Sequence, residues 1–313
     1  MNSLAITDSK WILPMRGKKN PLDPLKPYSM IVEKERTASG GIEDVIVIFL
    51  TGAECPYSCI MCDLWKNTTD TVTPRGYIPE QIEYALERLP SAKHVKLYNS
   101  GSFFDRRSVP PEDHERIASL LSDFETVTVE CHPAFIDRNC VRFKEMLRPE
   151  LKIAIGLETV SPGMLRKLNK KMTPESFRKA VMYLKENGIG SRAFILLKPP
   201  FTNEDEGIFW AKRSIDFAFD SGAECCTVIP VRAGNGAMEY LYSNGLFSPP
   251  LLQSLEEVLE YGISLRAGNV FADTWDLTLF SGCDKCIEDR RSRLNEMNLH
   301  QSIIPKVECE CSY

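Results

Sequence analysis

No apolar run in this 313-residue chain is long enough to cross a bilayer. The longest, such as Val45–Leu50 and Ala193–Leu197, fall far short of the about 20 residues that a spanning helix needs. The first residues also lack the basic-then-apolar pattern of an exported precursor. The expectation is a cytoplasmic protein with no membrane partner. An excess of one charge is missing too: the net charge of −5 gives no global field for a polyanion, and no RNA-binding appendage is recognisable. Nucleic acid would have to meet a local basic face, for which Arg166, Lys167, Lys170, Lys171, Arg178 and Lys179 are the candidates. Cysteine is plentiful. Eleven thiols without an export signal point to reduced side chains and metal ligands rather than a disulfide framework. With 43% hydrophobic residues, the chain can bury a core for one barrel-sized domain or two medium ones.

Three of the thiols fall within Glu54-Cys55-Pro56-Tyr57-Ser58-Cys59-Ile60-Met61-Cys62-Asp63. A C-x3-C-x2-C spacing lets three thiolates close on one iron–sulfur cube and leaves one iron without a protein ligand, open to a chelating substrate. The other readings are three-quarters of a zinc site or plain core cysteines.

This turn follows a continuous apolar run, Asp44–Thr51, of the kind expected for a parallel strand buried on both faces. Five more strands are predicted at Lys93–Tyr98, Glu125–Glu130, Leu151–Glu158, Ser191–Lys198 and Cys225–Val231. Helical spacing of apolar residues follows each of the six, from about 78 to 89 and near Glu112–Ser122, Asn139–Leu147, Thr173–Asn187, Asn203–Ser221 and Pro250–Arg266. Thr173-Pro174-Glu175 reads as an N-cap with proline at the first helical position, and Asn187-Gly188 as a stop. Six βα units in series imply a parallel sheet with right-handed crossovers, curled into a partial (β/α)6 TIM-like barrel of the α/β class. Residues 1–41, rich in Pro, Lys and Arg, read as an irregular arm. Residues 42–232 form the barrel, and 233–313 a small cysteine-containing extension.

In such a barrel the chemistry gathers at strand C-termini. The unusual residues do cluster there: the cysteine turn, Asn99-Ser100-Gly101-Ser102, Glu130-Cys131-His132-Pro133, Glu158, Lys198-Pro199-Pro200, and Arg232 with Gly234. A carboxylate at a strand end is a bidentate acceptor for a ribose diol, and an arginine fork suits a carboxylate.

With these positions aligned, the chain from about 42 to 232 resembles the radical S-adenosylmethionine (SAM) enzymes. The resemblance implies that Cys55, Cys59 and Cys62 hold a [4Fe–4S] cluster, with Met61 near the adenine of SAM. Asn99, Ser100 and Gly101 stand where the family has a glycine-rich turn whose carbonyls receive the SAM amino group. Glu130 matches a glutamate ending the third of the six strands, Glu158 the ribose-binding position, and Ile229 to Val231 an apolar strand against the adenine. Arg192 is a candidate for the SAM carboxylate or a structural ion-pair partner; Lys198 is a second candidate. The implied activity is reductive cleavage of SAM to a 5′-deoxyadenosyl radical, with electrons from a donor such as flavodoxin or ferredoxin. Segments Tyr98–Asp105, Leu196–Phe201 and Ile229–Val231 look like the radical SAM subunit of archaeosine synthase and its uncharacterised relatives, within the Elongator-type group. The substrate is then either a tRNA nucleoside or a small molecule. The alternative function is a non-catalytic iron–sulfur or zinc scaffold.

Four further thiols form Cys283-x2-Cys286 and Cys309-x-Cys311 around a predicted helix carrying Arg290, Arg291 and Arg293. Two close pairs are a metal-site pattern, for zinc or an auxiliary iron–sulfur cluster. Cys140, Cys225 and Cys226 fall in helix or strand patterns and read as core.

Overall fold

The computed structural model describes residues 7–311. Its frame is one sheet of eight strands in sequential order, β1 (Ser29–Arg36), β2 (Ile42–Phe49), β3 (His94–Tyr98), β4 (Thr126–Glu130), β5 (Glu150–Glu158), β6 (Gly190–Leu197), β7 (Cys225–Pro230) and β8 (Asn269–Ala272). β2 through β8 are parallel, and β1 pairs antiparallel with β2. The helices in chain order are α1 (Ser9–Ile12), α2 (Tyr77–Leu86), α3 (His114–Leu120), α4 (Arg138–Met146), α5 (Pro162–Lys167), α6 (Pro174–Glu186), α7 (Glu204–Ser221), α8 (Ala237–Ser243), α9 (Leu252–Ser264) and α10 (Ile287–His300). Each strand from β2 to β7 feeds at least one helix, so the six predicted βα units are present in the predicted order. The stretch expected to be an irregular arm instead supplies α1 and β1, and β8 extends the sheet at its other edge.

The sheet is curled, and strand alternation sorts its side chains. Ile46, Ile48, Val95, Leu97, Val127, Val129, Ile153, Ile155, Ala193, Ile195 and Val228 join the helices in one large core. The alternate residues face the concave side. There Phe49, Tyr98 and Phe194 form a chain of ring contacts, 5.9 and 6.1 Å between centroids. Beneath them lie charges: Arg192 grips Glu35 through both oxygens, at 2.9 and 2.5 Å, and Lys96 binds Glu33 and Glu35. Burial raises the Glu35 carboxyl, but Arg192 and Lys96 outweigh it and hold it at about 2.

A second, smaller core sits over the strand ends. Ile12 of α1, Ile60 of the cysteine turn, Met164 and Leu168 around α5, Leu196, Val231, Met238, Leu241 and Phe247 pack together there. The N-terminal segment therefore lies against the cysteine turn.

Candidate active site at the strand ends

The cysteine turn is held by its backbone. Ile60 N–H donates to Leu168 O at 3.0 Å. The Asn169 side-chain amide donates to Ser58 O at 2.8 Å, and that of Asn235 to Ile60 O at 2.7 Å and Cys62 O at 3.1 Å. Glu54 is bound by Arg16 at 2.5 Å and Lys19 at 2.7 Å. Asn169 adopts φ +54°, a left-handed conformation that asparagine tolerates better than most residues. Sequence reasoning missed Asn169 and Asn235, whose value lies in contacts 111 and 175 residues away.

None of the three thiols is in a disulfide. Burial pushes them up, to about 11 for Cys55 and Cys59 and about 12 for Cys62. Neutral thiols fixed in a sheltered turn fit a cationic metal group, which supplies the positive charge that drives thiol protons off.

The turn after β3 lies against the first of these thiols: a Cβ added to Gly101 would sit 3.5 Å from that of Cys55. Glu130 at the end of β4 organises this turn, its Oε1 accepting from Asn99 N–H at 2.6 Å and Gly101 N–H at 3.4 Å. Burial raises the Glu130 carboxyl to about 7 against those donors. Ser100, at φ +55°, hydrogen-bonds through Oγ to the Tyr28 hydroxyl at 3.2 Å. Asn99 gives its Nδ2 to Ser108 Oγ at 2.8 Å, and its Oδ1 is buried with no protein partner. A buried acceptor without a protein partner in this turn fits a bound group or water that carries a hydrogen-bond donor.

Glu158 ends β5 at φ +62°, and its Oε1 receives Lys170 Nζ at 2.5 Å; the two side chains are 9% and 11% exposed. The pair lies over Gly156, where an added Cβ would fall 2.3 Å from Glu158 Oε1 and 2.6 Å from Lys170 Nζ. Burial works to lower Lys170, yet Glu158 and Cys59 raise it above the usual lysine range. His132 is inserted beneath, its Nε2 3.1 Å from Lys170 O and its Nδ1 accepting from Ala134 N–H at 3.1 Å. Burial lowers it to about 4, so it is a neutral prop. Its ring centroid is 4.2 Å from that of Tyr57 in the cysteine turn.

Met61, Ile229 and Val231 meet in the second core. Arg192 stands apart. It is the third residue of β6, and its Glu35 partner pairs across the sheet with Glu43 near the start of β2, so the pair sits at the end opposite the cysteine turn. Lys198 is at the proper end, but its ammonium is occupied by Glu204 at 2.5 Å and Ser248 at 2.9 Å. Neither cation is offered to a ligand carboxylate. The basic run is also divided. Lys170 is buried, Lys167 lies over Phe201, and Arg178 lies over Phe217. The four tail thiols come together as a separate group.

Residues 49–209 match the family model of the Radical SAM superfamily. An uncharacterized protein of Methanocaldococcus jannaschii is 29% identical over 94% of this chain and 87% of its own length. The archaeosine synthase beta subunits of Methanosarcina acetivorans and Thermococcus kodakarensis are 31% and 26% identical over 64% of this chain, and the matched stretches span 60% and 65% of those proteins. Among solved structures, Streptococcus suis SuiB bound to its precursor peptide SuiA aligns with a TM-score of 0.54 at 15% identity, over 73% of this chain and 48% of that one. Methanocaldococcus infernus Elp3 aligns with a TM-score of 0.51 at 15% identity, over 70% and 59%. Both carry the same curled parallel sheet. A family match across half the chain, on the stretch that contains the cysteine turn and the strand-end carboxylates, decides the assignment: the chain belongs to the Radical SAM superfamily.

Proposed function

We propose that Cys55, Cys59 and Cys62 hold a [4Fe–4S] cluster, that SAM binds between it and the ends of β3 to β7, and that the substrate is a nucleoside of transfer RNA. The observation that carries the site is the Asn99–Gly101 turn, flattened against Cys55 by Glu130. With both groups bound, the chemistry supplied is one-electron cleavage of SAM to methionine and a 5′-deoxyadenosyl radical, which takes a hydrogen atom from substrate.

The chain's own part is positioning and shelter. Glu130 ties up turn N–H groups, so the carbonyls are what the turn presents to a ligand amine. Glu158, steadied by Lys170, presents a second carboxylate for a ribose diol. Met61, Ile229 and Val231 give an apolar wall for an adenine. The aromatic residues Phe49, Tyr98 and Phe194 line the concave face with rings suited to a flat heterocycle. A one-electron donor of flavodoxin or ferredoxin type supplies the reductant.

The tRNA reading is supported by the two relatives named archaeosine synthase subunit beta. A small-molecule substrate is the second reading, favoured by the division of the basic run among buried and ring-stacked positions. Dithionite-reduced, cluster-replete protein is expected to form 5′-deoxyadenosine, and Cys59→Ala to form none above background. Added bulk tRNA should raise the yield, and salt should weaken its binding. Equal yield from wild type and Cys59→Ala overturns the cluster assignment. A yield indifferent to tRNA overturns the substrate assignment.

A further inference from the structure

We infer that Cys283, Cys286, Cys309 and Cys311 bind a single tetrahedral zinc ion, and that this ion locks α10 across the gap between the two edges of the sheet. The four Sγ atoms all lie within 4.8 Å of one another, with Cys283–Cys309 at 3.8 Å and Cys286–Cys311 at 3.7 Å. With a Zn–S bond of about 2.3 Å, the edge of a regular sulfur tetrahedron is about 3.8 Å. Two of the six sulfur–sulfur edges already have that length, and the rest lie within about an ångström of it. Iron–sulfur clusters spread their thiolates over two or four irons, so four sulfurs this close together leave no room for one. Disulfides would need sulfurs at about 2.05 Å, and these cysteines are unbonded.

The surroundings suit four thiolates on a divalent ion, a net anion. Cys286 is the N-cap of the fourteen-residue α10, placing the site at the positive end of that helix. The Arg290 guanidinium adjoins the Cys286 thiol while clasping Glu256 at 3.0 and 2.7 Å. Four protein thiols complete a tetrahedral zinc shell, so the ligand set is closed.

α10 has a definite task in the fold. The sheet has free edges at β8 and β1, and α10 contacts both strands. Asn298 and Gln301, one helical turn apart, use their carboxamides as a surrogate strand. Gln301 accepts from Val270 N–H at 2.7 Å and donates to Val270 O at 2.8 Å; Asn298 does the same for Ala272 at 2.8 and 2.9 Å. Arg36 of β1 reaches the Leu299 carbonyl at 3.2 Å. Only Ile287, Leu294 and Met297 of this helix are buried apolar residues. With so little apolar surface, docking depends on its ion pairs and hydrogen bonds and on an anchor at its N-cap. That anchor is the metal site, whose second pair of ligands arrives on the returning chain after Arg293 has bound Ile304 O and Pro305 O.

The test uses the full chain with Cys55, Cys59 and Cys62 all changed to alanine, so that it stands whether or not the proposed cluster exists. Anaerobic metal analysis should give one zinc per chain and no iron. Iron at one or more per chain, or chain purified without zinc, overturns the zinc site. Removing zinc from this variant with a mercurial should speed amide exchange in the 269–272 and 287–301 segments by about tenfold or more. Restoring thiols and zinc, but not thiols alone, should slow it again. Exchange that is unchanged by zinc removal, or restored without zinc, overturns the lock. A Cys309→Ser, Cys311→Ser variant should lose the zinc and show the fast exchange from the outset.

Discussion

Replacing Lys170 with methionine isolates the least tolerant element of the site. The change keeps side-chain length and removes the cation, leaving Glu158 on the β5 terminus with its carboxylate 9% exposed and no counter-charge. Breaking a buried pair from one side costs about 3–5 kcal/mol, because the remaining charge is stranded in a poorly solvating pocket. At a urea dependence of about 3 kcal/mol per molar, the unfolding midpoint of the metal-free protein should fall by about 1–2 M. Adding Glu158→Gln removes the stranded charge and should restore at least half of the loss, since replacing both partners of a buried pair is far milder than removing one. Equilibrium urea unfolding of wild type, both single variants and the double variant, run anaerobically at one pH, measures the coupling. A Lys170→Met unfolding free energy within about 0.5 kcal/mol of wild type would mean that the pair is a solvated contact, and the case for Lys170 as the support of Glu158 would fail.

Two further outcomes follow from the same geometry. Glu130 is raised from 4.5 to about 7 in the folded chain, so the fold binds its proton more tightly than the unfolded chain does. Its contribution to stability is complete below about 4.5 and is lost as pH rises through about 7. His132, lowered to about 4, acts oppositely, gaining stability as pH rises from 4 toward 6.5. The difference between wild type and Glu130→Gln isolates the carboxyl: wild type should lose stability relative to the variant between pH 4.5 and 7, and parallel pH profiles would contradict the assignment. Gly156→Ala is the second case. The added Cβ meets side-chain ends rather than backbone, at 2.3 and 2.6 Å, so the backbone should keep its course, with some loss of stability, while the Glu158–Lys170 pair is pushed aside. Loss of a charge-assisted contact of about 1.5–3 kcal/mol predicts SAM binding weakened roughly tenfold to a hundredfold, measurable by anaerobic calorimetry; unchanged affinity would remove Glu158 from the SAM site.

The six βα units were legible because strands buried on both faces read as unbroken apolar runs, and Asp44–Thr51 or Ala193–Leu197 needs no partner to be recognised. β1 was not, for the converse reason. Ser29–Arg36 carries Glu33 and Glu35 on the concave face, and those charges make sense only once Lys96 and Arg192 are opposite them, 61 and 157 residues away. The same pairing explains Arg192. An arginine fork does call for a carboxylate, but the carboxylate belongs to the chain. Lys170 shows how a charge run misleads: amid Arg166, Lys167 and Lys171 it reads as a solvated face, yet the left-handed Asn169 before it accompanies an inward turn of the side chain onto Glu158.

These cases share a physical cause that bears on how far the site can be read. Cysteine spacing is a local quantity, set by the ligand geometry that a short turn must satisfy, and so it survives in one dimension. What fixes that turn is not local. Asn169, Asn235 and Leu168 seize its backbone from the loops after β5 and β7, and Gly101 abuts Cys55 from the end of β3. Backbone carbonyls carry no residue identity, so groups that bind them leave no complementary mark in the turn's own sequence. A metal turn of this kind announces its chemistry through its ligands and conceals its precision in distant amides. The strand-end carboxylates fall between the two: their positions follow from the barrel's polarity, while Lys170, which holds one of them, is found only in three dimensions.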